Sequence, residues 1–408
     1  MLEMNKKLWL ILFFILGSLG FYNPVQIMTP QIQKLIYYVI FAICLIVAFK
    51  TKGKVNYQAT PKVAYWLILI GICVATAFVP VYNEQSLSVS VQASLAQFIP
   101  YSFLYILLAY NPPVDKIEKM LMYMGLLGII VNGANMLTAP NCIFGSEQEE
   151  IDISRGFVRV RTPIIYICFL FFYALSKFKN DIANRRKWLF LTVLAYAFIV
   201  FWVARQYIAY AAGLGILFYL SQVKWYKKLL LALSCFLVLQ YIVMEIPFVK
   251  NMIEMSSEQK SNSDEDVRTI AYSYYGDFGQ TNDVTRLIGN GVPSLGNSKW
   301  AFKFENDIDF MHVYAVDVGW VGFYFYFGVF TLLGLVMLFI TGIFTQRPIQ
   351  YQYLNYLLFL FFLTDFAGGS ILFMDEITAL MLFFYLSFKT IKYNKNGNIQ
   401  NCSSCSNL

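Results

Sequence analysis

The sequence is divided into apolar blocks that are each long enough to cross a lipid bilayer. Of its 408 residues, 58% are hydrophobic and only 13% are charged. A helix needs about 20 apolar residues to span the hydrocarbon core of a membrane, and a soluble domain carries about 25% charged residues. Because the apolar runs are continuous rather than alternating with polar residues, they exclude transmembrane β-strands. The sequence therefore predicts an all-α, polytopic integral membrane protein.

About twelve transmembrane helices are predicted from the apolar blocks. The candidate spans are residues 8–22, 32–49, 63–82, 91–110, 117–138, 162–178, 188–204, 206–222, 229–246, 313–342, 353–367 and 374–391. No internal repeat is visible, so an inverted-repeat transporter gains no support. We interpret residues 1–408 as a single membrane domain that ends in a disordered cytoplasmic tail at 392–408.

The distribution of lysine and arginine predicts which side of the membrane each connection faces. With the N-terminus placed in the cytoplasm, the inner connections hold 20 of the 31 basic residues and four acidic residues. The outer connections then hold 11 basic and 20 acidic residues, so the inner side carries +16 and the outer side −9. Both termini are therefore predicted to be cytoplasmic. The net charge of +7 reflects this asymmetry, and no nucleic acid partner is expected.

Two outer connections are long enough to carry a site, residues 139–161 and 247–312. The first contains Arg155, Arg159 and Arg161 on the side that otherwise has an acidic excess. Arg155 and Arg159 share a face if this segment is helical, whereas Arg159 and Arg161 share one if it is extended. Guanidinium groups bind phosphate oxygens in a bidentate manner, so a polyanionic ligand is a natural partner. Pairing with the acidic residues between 147 and 152 is the alternative.

Arg205 interrupts an apolar run at the outer junction of the seventh and eighth predicted spans. A cation at bilayer depth costs about 2.5–3.5 kcal/mol on insertion scales unless it is paired or lies in an aqueous cavity. Arg205 is therefore either a functional cation or an interfacial arginine whose charged group reaches the water at a tight turn.

The stretch 286–330 joins a polar, turn-rich segment to an apolar helix. The only histidine, His312, is predicted at the start of that helix, with Asp317 on its first turns. A histidine, with an unperturbed pKa of about 6.5, is a candidate general base, and a capping residue is the alternative. Asp317 is a carboxylate in an apolar run and needs a partner. Gly319 and Gly322 are predicted to allow close packing of helices.

The other charged residues predict no further site. Asp365, Asp375 and Glu376 flank the outer turn between the last two spans, and we expect them to be solvated. With one histidine and no cluster of external cysteines, a zinc site is not expected. No phosphate-binding loop or dinucleotide fingerprint is present, so no cofactor is predicted.

These features resemble the superfamily of O-antigen polymerases and ligases. Like its members, the chain combines about a dozen spans with a large periplasmic loop, here between helices 9 and 10, and an arginine near the outer end of a mid-chain span, here in 204–206 (ARQ). A Gly-x-Gly turn follows the loop, here 289–291 (GNG). Next comes a histidine before an Asp-x-Gly-aliphatic-x-Gly helix, here His312 and 317–322 (DVGWVG). Val313 stands where many members have asparagine after the histidine.

The resemblance implies a metal-independent glycosyltransferase with a GT-C-like fold in the inner membrane of a bacterium. Its substrates would be undecaprenyl-pyrophosphate-linked oligosaccharide repeat units. They would be polymerised at the periplasmic face into O-antigen, capsular polysaccharide or exopolysaccharide. The expected partners are this lipid-linked glycan and the bilayer, with a chain-length regulator and a flippase as further candidates.

The resemblance also implies roles for individual residues. Arg205, with Arg159 or Arg161, would offset the charge of the departing pyrophosphate, and His312 would take the proton of the acceptor hydroxyl. Asp317 would be a carboxylate near the positive charge that develops at the anomeric carbon. The expected substrate-binding residues are Arg155, Arg159, Arg161 and Arg286. Trp300 and Phe302 are candidates for stacking on sugar rings, with ordinary loop packing as the alternative.

Two alternative functions remain open at this point. A ligase would transfer a finished glycan to a different acceptor, and its fold and motifs are nearly shared with the polymerases. A flippase for lipid-linked oligosaccharides belongs to a different class. The large outer loop and the lack of repeat symmetry argue against the flippase.

Overall fold

The structure is a computed structural model, and its described part is almost entirely helical, as the sequence predicts. It describes residues 2–19, 30–50, 61–139, 141, 143–144, 151–152, 159–160, 164–202, 204–221, 267–294 and 298–391. The exception is a pair of two-residue strands, β1 (Ile151–Asp152) and β2 (Arg159–Val160), which pair in antiparallel orientation. The predicted tail at 392–408 lies outside the described residues.

The described residues form fourteen α-helices. The first eight are α1 (Leu2–Ser18), α2 (Pro30–Lys50), α3 (Lys62–Tyr82), α4 (Leu87–Tyr110), α5 (Val114–Thr138), α6 (Ile164–Asn180), α7 (Arg185–Phe201) and α8 (Arg205–Leu220). The second half contains α9 (Val267–Ser273), which runs into a π-helical turn (Tyr274–Phe278), then α10 (Asp283–Ile288) and α11 (Lys299–Met311). A 3-10 turn (Ala315–Val318) leads into α12 (Gly319–Phe344), and a second one (Ile349–Tyr351) precedes α13 (Tyr353–Thr364) and α14 (Met374–Lys389).

Each predicted span except the ninth contains a described helix, and the ninth, 229–246, lies outside the described residues. Four described helical stretches are long and apolar enough to cross a membrane: Lys62–Tyr82, Leu87–Tyr110, Val114–Thr138 and Ala315–Phe344. Their outer surfaces carry apolar side chains such as Ile70 and Ile130, 56% and 67% exposed, as expected for helices that face lipid. The full count of twelve spans stays a prediction.

Helices α6 and α14 form the centre of the bundle. Residues 164–176 of α6 and 377–388 of α14 are buried without interruption. A helix that is apolar on all sides is stable where protein surrounds it, which explains why these sequences show no polar stripe. Aromatic rings fill the space between them, and Phe169 stacks on Phe383 with ring centroids 5.6 Å apart.

Hydrogen bonds that reach the connections between helices define two ends of the described bundle. At one end, Ser176 Oγ donates to Gln350 O over 3.1 Å, and Tyr385 OH donates to Pro112 O over 2.6 Å. Gln350 and Pro112 lie in connections that the lysine distribution predicts to be cytoplasmic, and Ser176 and Tyr385 lie near helix ends that adjoin such connections. We call this end the inner end.

The opposite end joins connections that are predicted to face outward, and we call it the outer end. Asn83 Nδ2 donates to Asn290 O over 2.8 Å, and Gln206 Nε2 donates to Ala367 O over 2.8 Å. The relative sidedness of these connections therefore agrees with alternating spans. Which compartment each end faces stays a prediction.

A buried guanidinium closes the inner end. Arg347 is 5% exposed and donates to the carbonyl oxygens of Gly342 and Ser387. It thereby caps carbonyls at the C-terminal ends of α12 and α14, where a cation is favourable. Burial lowers the pKa of Arg347 to about 10, so the group stays protonated at neutral pH. Arg347 lines a cavity of about 710 Å³. Its guanidinium group is already hydrogen-bonded to the protein.

The predicted orientation can be tested by cysteine labelling. Ile182 between α6 and α7 is 83% exposed at the inner end, and Phe278 is 79% exposed at the outer end. In a variant without native cysteines, we expect a membrane-impermeant maleimide to label Phe278→Cys in cells whose outer membrane, if present, is permeabilised. Ile182→Cys should react only after lysis, and the reverse pattern would invert the assigned orientation.

Candidate functional site

Helix α12 is broken near its outer end, and the outer loop fills the break. Gly328 interrupts the helix with a φ of 77° and a ψ of 173°. A non-helical residue disrupts the regular ladder of helical hydrogen bonds, and carbonyl groups near it need other donors. The backbone N–H groups of Asn290 and Gly291 donate hydrogen bonds, each of 2.9 Å, to the carbonyls of Phe325 and Tyr326, respectively.

Two glycines permit this close approach. Gly289 has a φ of 91°, and a Cβ at this position would lie 2.3 Å from Tyr326 O. Gly328 has a φ of 77°, and its Cβ would lie 2.2 Å from Leu287 O. Both conformations strongly favour glycine. The Gly-x-Gly turn of the sequence is therefore the point where the outer loop meets a membrane helix, whereas the break at Gly328 was not predicted.

A partly buried network of amides and a hydroxyl surrounds this turn. Asn290 is 1% exposed, and its Nδ2 donates to Gln280 Oε1 over 2.8 Å. Thr281 Oγ1 lies 2.9 Å from Asn290 Oδ1 and 2.8 Å from Asn83 Oδ1. Buried polar networks whose members are satisfied hold one arrangement firmly. This network fixes the connection after α3 against the outer loop.

A cleft of about 470 Å³, which we call the outer cleft, borders this network. Its size falls within the range of small-molecule sites, about 300–1,000 Å³. Aromatic side chains line it, namely Tyr82, Tyr274, Phe278, Trp300 and Phe304. Charged side chains line it too, namely Glu84, Lys299, Lys303 and Asp307.

The two carboxylates of the outer cleft have different surroundings. Asp307 Oδ2 accepts a hydrogen bond of 2.9 Å from Tyr274 OH, and burial raises the pKa of Tyr274, so this hydroxyl stays a donor. Glu84 Oε2 lies 3.9 Å from Lys299 Nζ in an exposed pair, which contributes little to stability. Glu84 also has a left-handed backbone, with a φ of 51°. Such conformations are uncommon outside glycine and cluster at functional sites.

The segments that carry Arg205 and Asp317 meet at one loop of the outer end. We call residues 204–206, 315–319 and 365–371 the junction. Next to Arg205, Gln206 Nε2 donates to the carbonyl of Ala367 over 2.8 Å. On the other side, a Cβ at Gly319 would lie 2.0 Å from the carbonyl oxygen of Gly368. Gly319 therefore permits close packing, but against this loop and not against another helix as predicted.

The loop of the junction contains a buried carboxylate that the sequence analysis missed. Asp365 is 0% exposed, and its Oδ1 accepts a hydrogen bond of 2.6 Å from Ser370 Oγ. Its Oδ2 has no hydrogen-bond partner among the described residues. The prediction that Asp365 is solvated is wrong, because the loop folds inward and Tyr101 OH donates to Ile371 O over 2.9 Å.

Asp375 and Glu376, in the first turn of α14, are partly exposed. One signal in the sequence could have indicated the burial of Asp365. The residues that follow it, 366–373 (FAGGSILF), contain no charge and are mostly apolar or glycine, which is unusual for a solvated turn.

His312 does not start the apolar helix, and this prediction is wrong. It is the C-cap of α11, with a φ of 53° and a ψ of 35°, and its side chain is exposed. Histidine is one of the residues enriched in this left-handed conformation. The apolar helix begins at Gly319, after the 3-10 turn that carries Asp317. The role of His312 as general base stays a prediction.

The predicted arginine cluster is only partly described. Arg286 forms ion pairs with Asp277 and with Asp283, the latter at 3.8 Å, so protein carboxylates already compensate its charge. The backbone of Arg159 is extended in β2, opposite Asp152, in agreement with the extended alternative at this position. The side chain of Arg159 and all of Arg155 and Arg161 lie outside the described residues.

A scan of the sequence against models of known protein families finds no match, and a search of characterised proteins finds no significantly similar sequence. The resemblance to O-antigen polymerases rests on the motifs given above.

The contact between the Gly-x-Gly turn and the broken helix can be tested with two alanine variants. Gly289→Ala places a side chain on a left-handed residue against Tyr326 O, and we expect a loss of about 1–3 kcal/mol in stability. Gly213→Ala is the control, because nothing lies within 4 Å of its Cβ position in α8. A helical Gly→Ala change stabilises by about 0.5–1 kcal/mol. Thermal unfolding in detergent, followed by intrinsic fluorescence, measures both, and equal midpoints would contradict the contact.

Proposed function

We propose that this protein polymerises undecaprenyl-pyrophosphate-linked oligosaccharide repeat units at the periplasmic face of a bacterial inner membrane. It would be a metal-independent, GT-C-like glycosyltransferase with about twelve spans and both termini in the cytoplasm. The observation that carries this proposal is the junction, where the segments of Arg205 and Asp317 contact one loop although they are far apart in the sequence. Both residues belong to the motifs that the chain shares with this superfamily.

The position of the junction supports the proposal. It lies at the outer end, away from the lysine-rich connections. Helix α9 links it to the outer cleft, since Tyr272 OH donates to Phe366 O in the junction loop and Tyr274, two residues further on, lines the cleft. A lipid-linked glycan has a charged pyrophosphate at the membrane surface and a sugar chain beyond it. The junction, with its arginine, suits the pyrophosphate of such a substrate, and the neighbouring cleft suits its sugar chain.

The proposed reaction is driven by cleavage of the bond between the sugar and the pyrophosphate of the donor substrate. The acceptor hydroxyl attacks the anomeric carbon of the donor, the bond to the pyrophosphate oxygen breaks, and the pyrophosphate leaves with its lipid. Arg205 would stabilise the negative charge on this leaving group, and Arg155, Arg159, Arg161 and Arg286 are the further candidates. His312 is the proposed acceptor of the hydroxyl proton. Asp317 would stabilise the positive charge at the anomeric carbon.

The test is Arg205→Ala in the native host. Removing one preorganised group that stabilises transition-state charge typically lowers a rate by about 10²–10³-fold. We therefore expect the long polymer to disappear, as measured by gel electrophoresis. Single lipid-linked repeats should accumulate, as measured by mass spectrometry of extracted lipids.

The matched control is Arg268→Ala. Arg268 is an exposed arginine of α9 at the same outer end, and it should leave polymer length unchanged. Immunoblots of membranes establish that both variants insert. Normal polymer length in the Arg205 variant would contradict the proposal. Single repeats held on the inner leaflet would indicate a flippase, and a finished polymer that stays on its lipid carrier would indicate a ligase.

A further inference from the structure

The outer cleft combines rings and polar groups on facing walls. Helix α11 contributes Trp300 to the cleft, and also Lys303, Phe304 and Asp307, which follow Trp300 by three, four and seven residues. Residues at this spacing lie on one face of a helix, so α11 presents a mixed aromatic and charged face. The facing walls come from residues 82–84 and from residues 274–281.

The rings of the cleft form a connected cluster. Trp300 and Phe304 have ring centroids 6.2 Å apart, and Phe304 lies 6.2 Å from Tyr274. Tyr274 and Phe304 are buried, whereas Trp300 is partly exposed. The ring of Trp300 packs against this buried part of the cluster. It therefore provides a well-packed, amphipathic surface with its indole N–H as a donor.

The charges of the cleft balance one another. Glu84 and Asp307 supply two negative charges, and Lys299 and Lys303 supply two positive charges. A site for pyrophosphate or another polyanion needs an excess of cations, and the described lining of this cleft has none. Acceptors and donors side by side instead suit a ligand with many hydroxyl groups, because each hydroxyl both donates and accepts.

We infer that the outer cleft is a saccharide-binding site that holds the sugar portion of the substrate, with an apolar face of a sugar ring against Trp300 and its hydroxyls toward Asp307, Glu84 and Lys303. The assignment depends on the proposed function for the statement that this glycan is the polymerase substrate. The chemistry of the ligand, an oligosaccharide without a required phosphate, follows from the cleft itself. The cleft is thus separate in role from the arginines that are proposed to bind pyrophosphate.

The structure also distinguishes between the two rings that the sequence offered for stacking. Trp300 lines the cleft, whereas Phe302, two residues further along α11, does not line it and is 62% exposed. Likewise, Asp307 lines the cleft and Asp309 is exposed outside it. Each proposed contact residue therefore has a matched control of similar chemistry on the same helix.

The experiment measures glycan binding by the full-length protein in lipid nanodiscs. Fluorescently labelled protein is applied to a microarray of bacterial surface oligosaccharides, and the strongest binder is titrated by calorimetry. We expect the wild type to bind at least one class of oligosaccharide. Trp300→Ala and Asp307→Asn should each weaken binding at least about tenfold, which corresponds to about 1.4 kcal/mol. Inorganic pyrophosphate should not compete.

The controls separate loss of binding from loss of folding. Phe302→Ala and Asp309→Asn should bind as the wild type does, and Trp300→Phe should retain most of the affinity because it keeps a ring. A wild type that binds no glycan would overturn the assignment. So would a Trp300→Ala variant with unchanged affinity, or binding that pyrophosphate displaces.

Polymer length in cells reports on the proposed function separately. If glycan binding depends on Trp300 but the Arg205 variant still makes normal polymer, the saccharide site is supported and the polymerase function is rejected. Loss of polymer in the Arg205 variant, without glycan binding at the cleft, would retain the polymerase and reject this site.

Discussion

The outer end depends on the contact between the Gly289–Gly291 turn and the break in α12. Backbone groups of a membrane helix have no water to bind, so a break is tolerated only where protein satisfies the freed groups. The turn does so with the N–H groups of Asn290 and Gly291. In return, the helix anchors the outer loop, together with the hydrogen bonds from Asn83 to Asn290 O and from Tyr272 to Phe366 O. The outer cleft and the amide network around Asn290 both follow from this contact.

A second constraint is the packing of the last connection. Residues 365–371 lie between α4, α8 and the turn before α12, and hydrogen bonds from Tyr101 and Gln206 hold this connection. Asp365 is the C-cap of α13, and the loop that follows it folds inward against α4 and the turn before α12, so this aspartate is buried rather than solvated. The same packing brings the segments of Arg205 and Asp317 to one loop. The proposed site therefore depends on how the membrane bundle closes at its outer end.

Particular residues show how far the sequence could predict this arrangement. The burial of Asp365 was missed because charge alone suggested a solvated turn, while the inward path of the loop depends on donors from distant helices. His312 was misplaced because the apolar pattern does not distinguish a helix from the extended residues that precede it. Trp300 and Phe302 had equal standing in the sequence. The orientation of α11 about its own axis decided that, of these two rings, only Trp300 lines the cleft.

By itself, the sequence determined the helical membrane class, the approximate bounds of the helices and the grouping of connections into two ends. These properties follow from local hydrophobicity and charge, which act at the scale of one span. Only the tertiary structure decided the break at Gly328, the buried carboxylate of Asp365 and the composition of the outer cleft. Each of these depends on contacts between segments that are distant in the chain, and neither hydropathy nor spacing encodes such contacts.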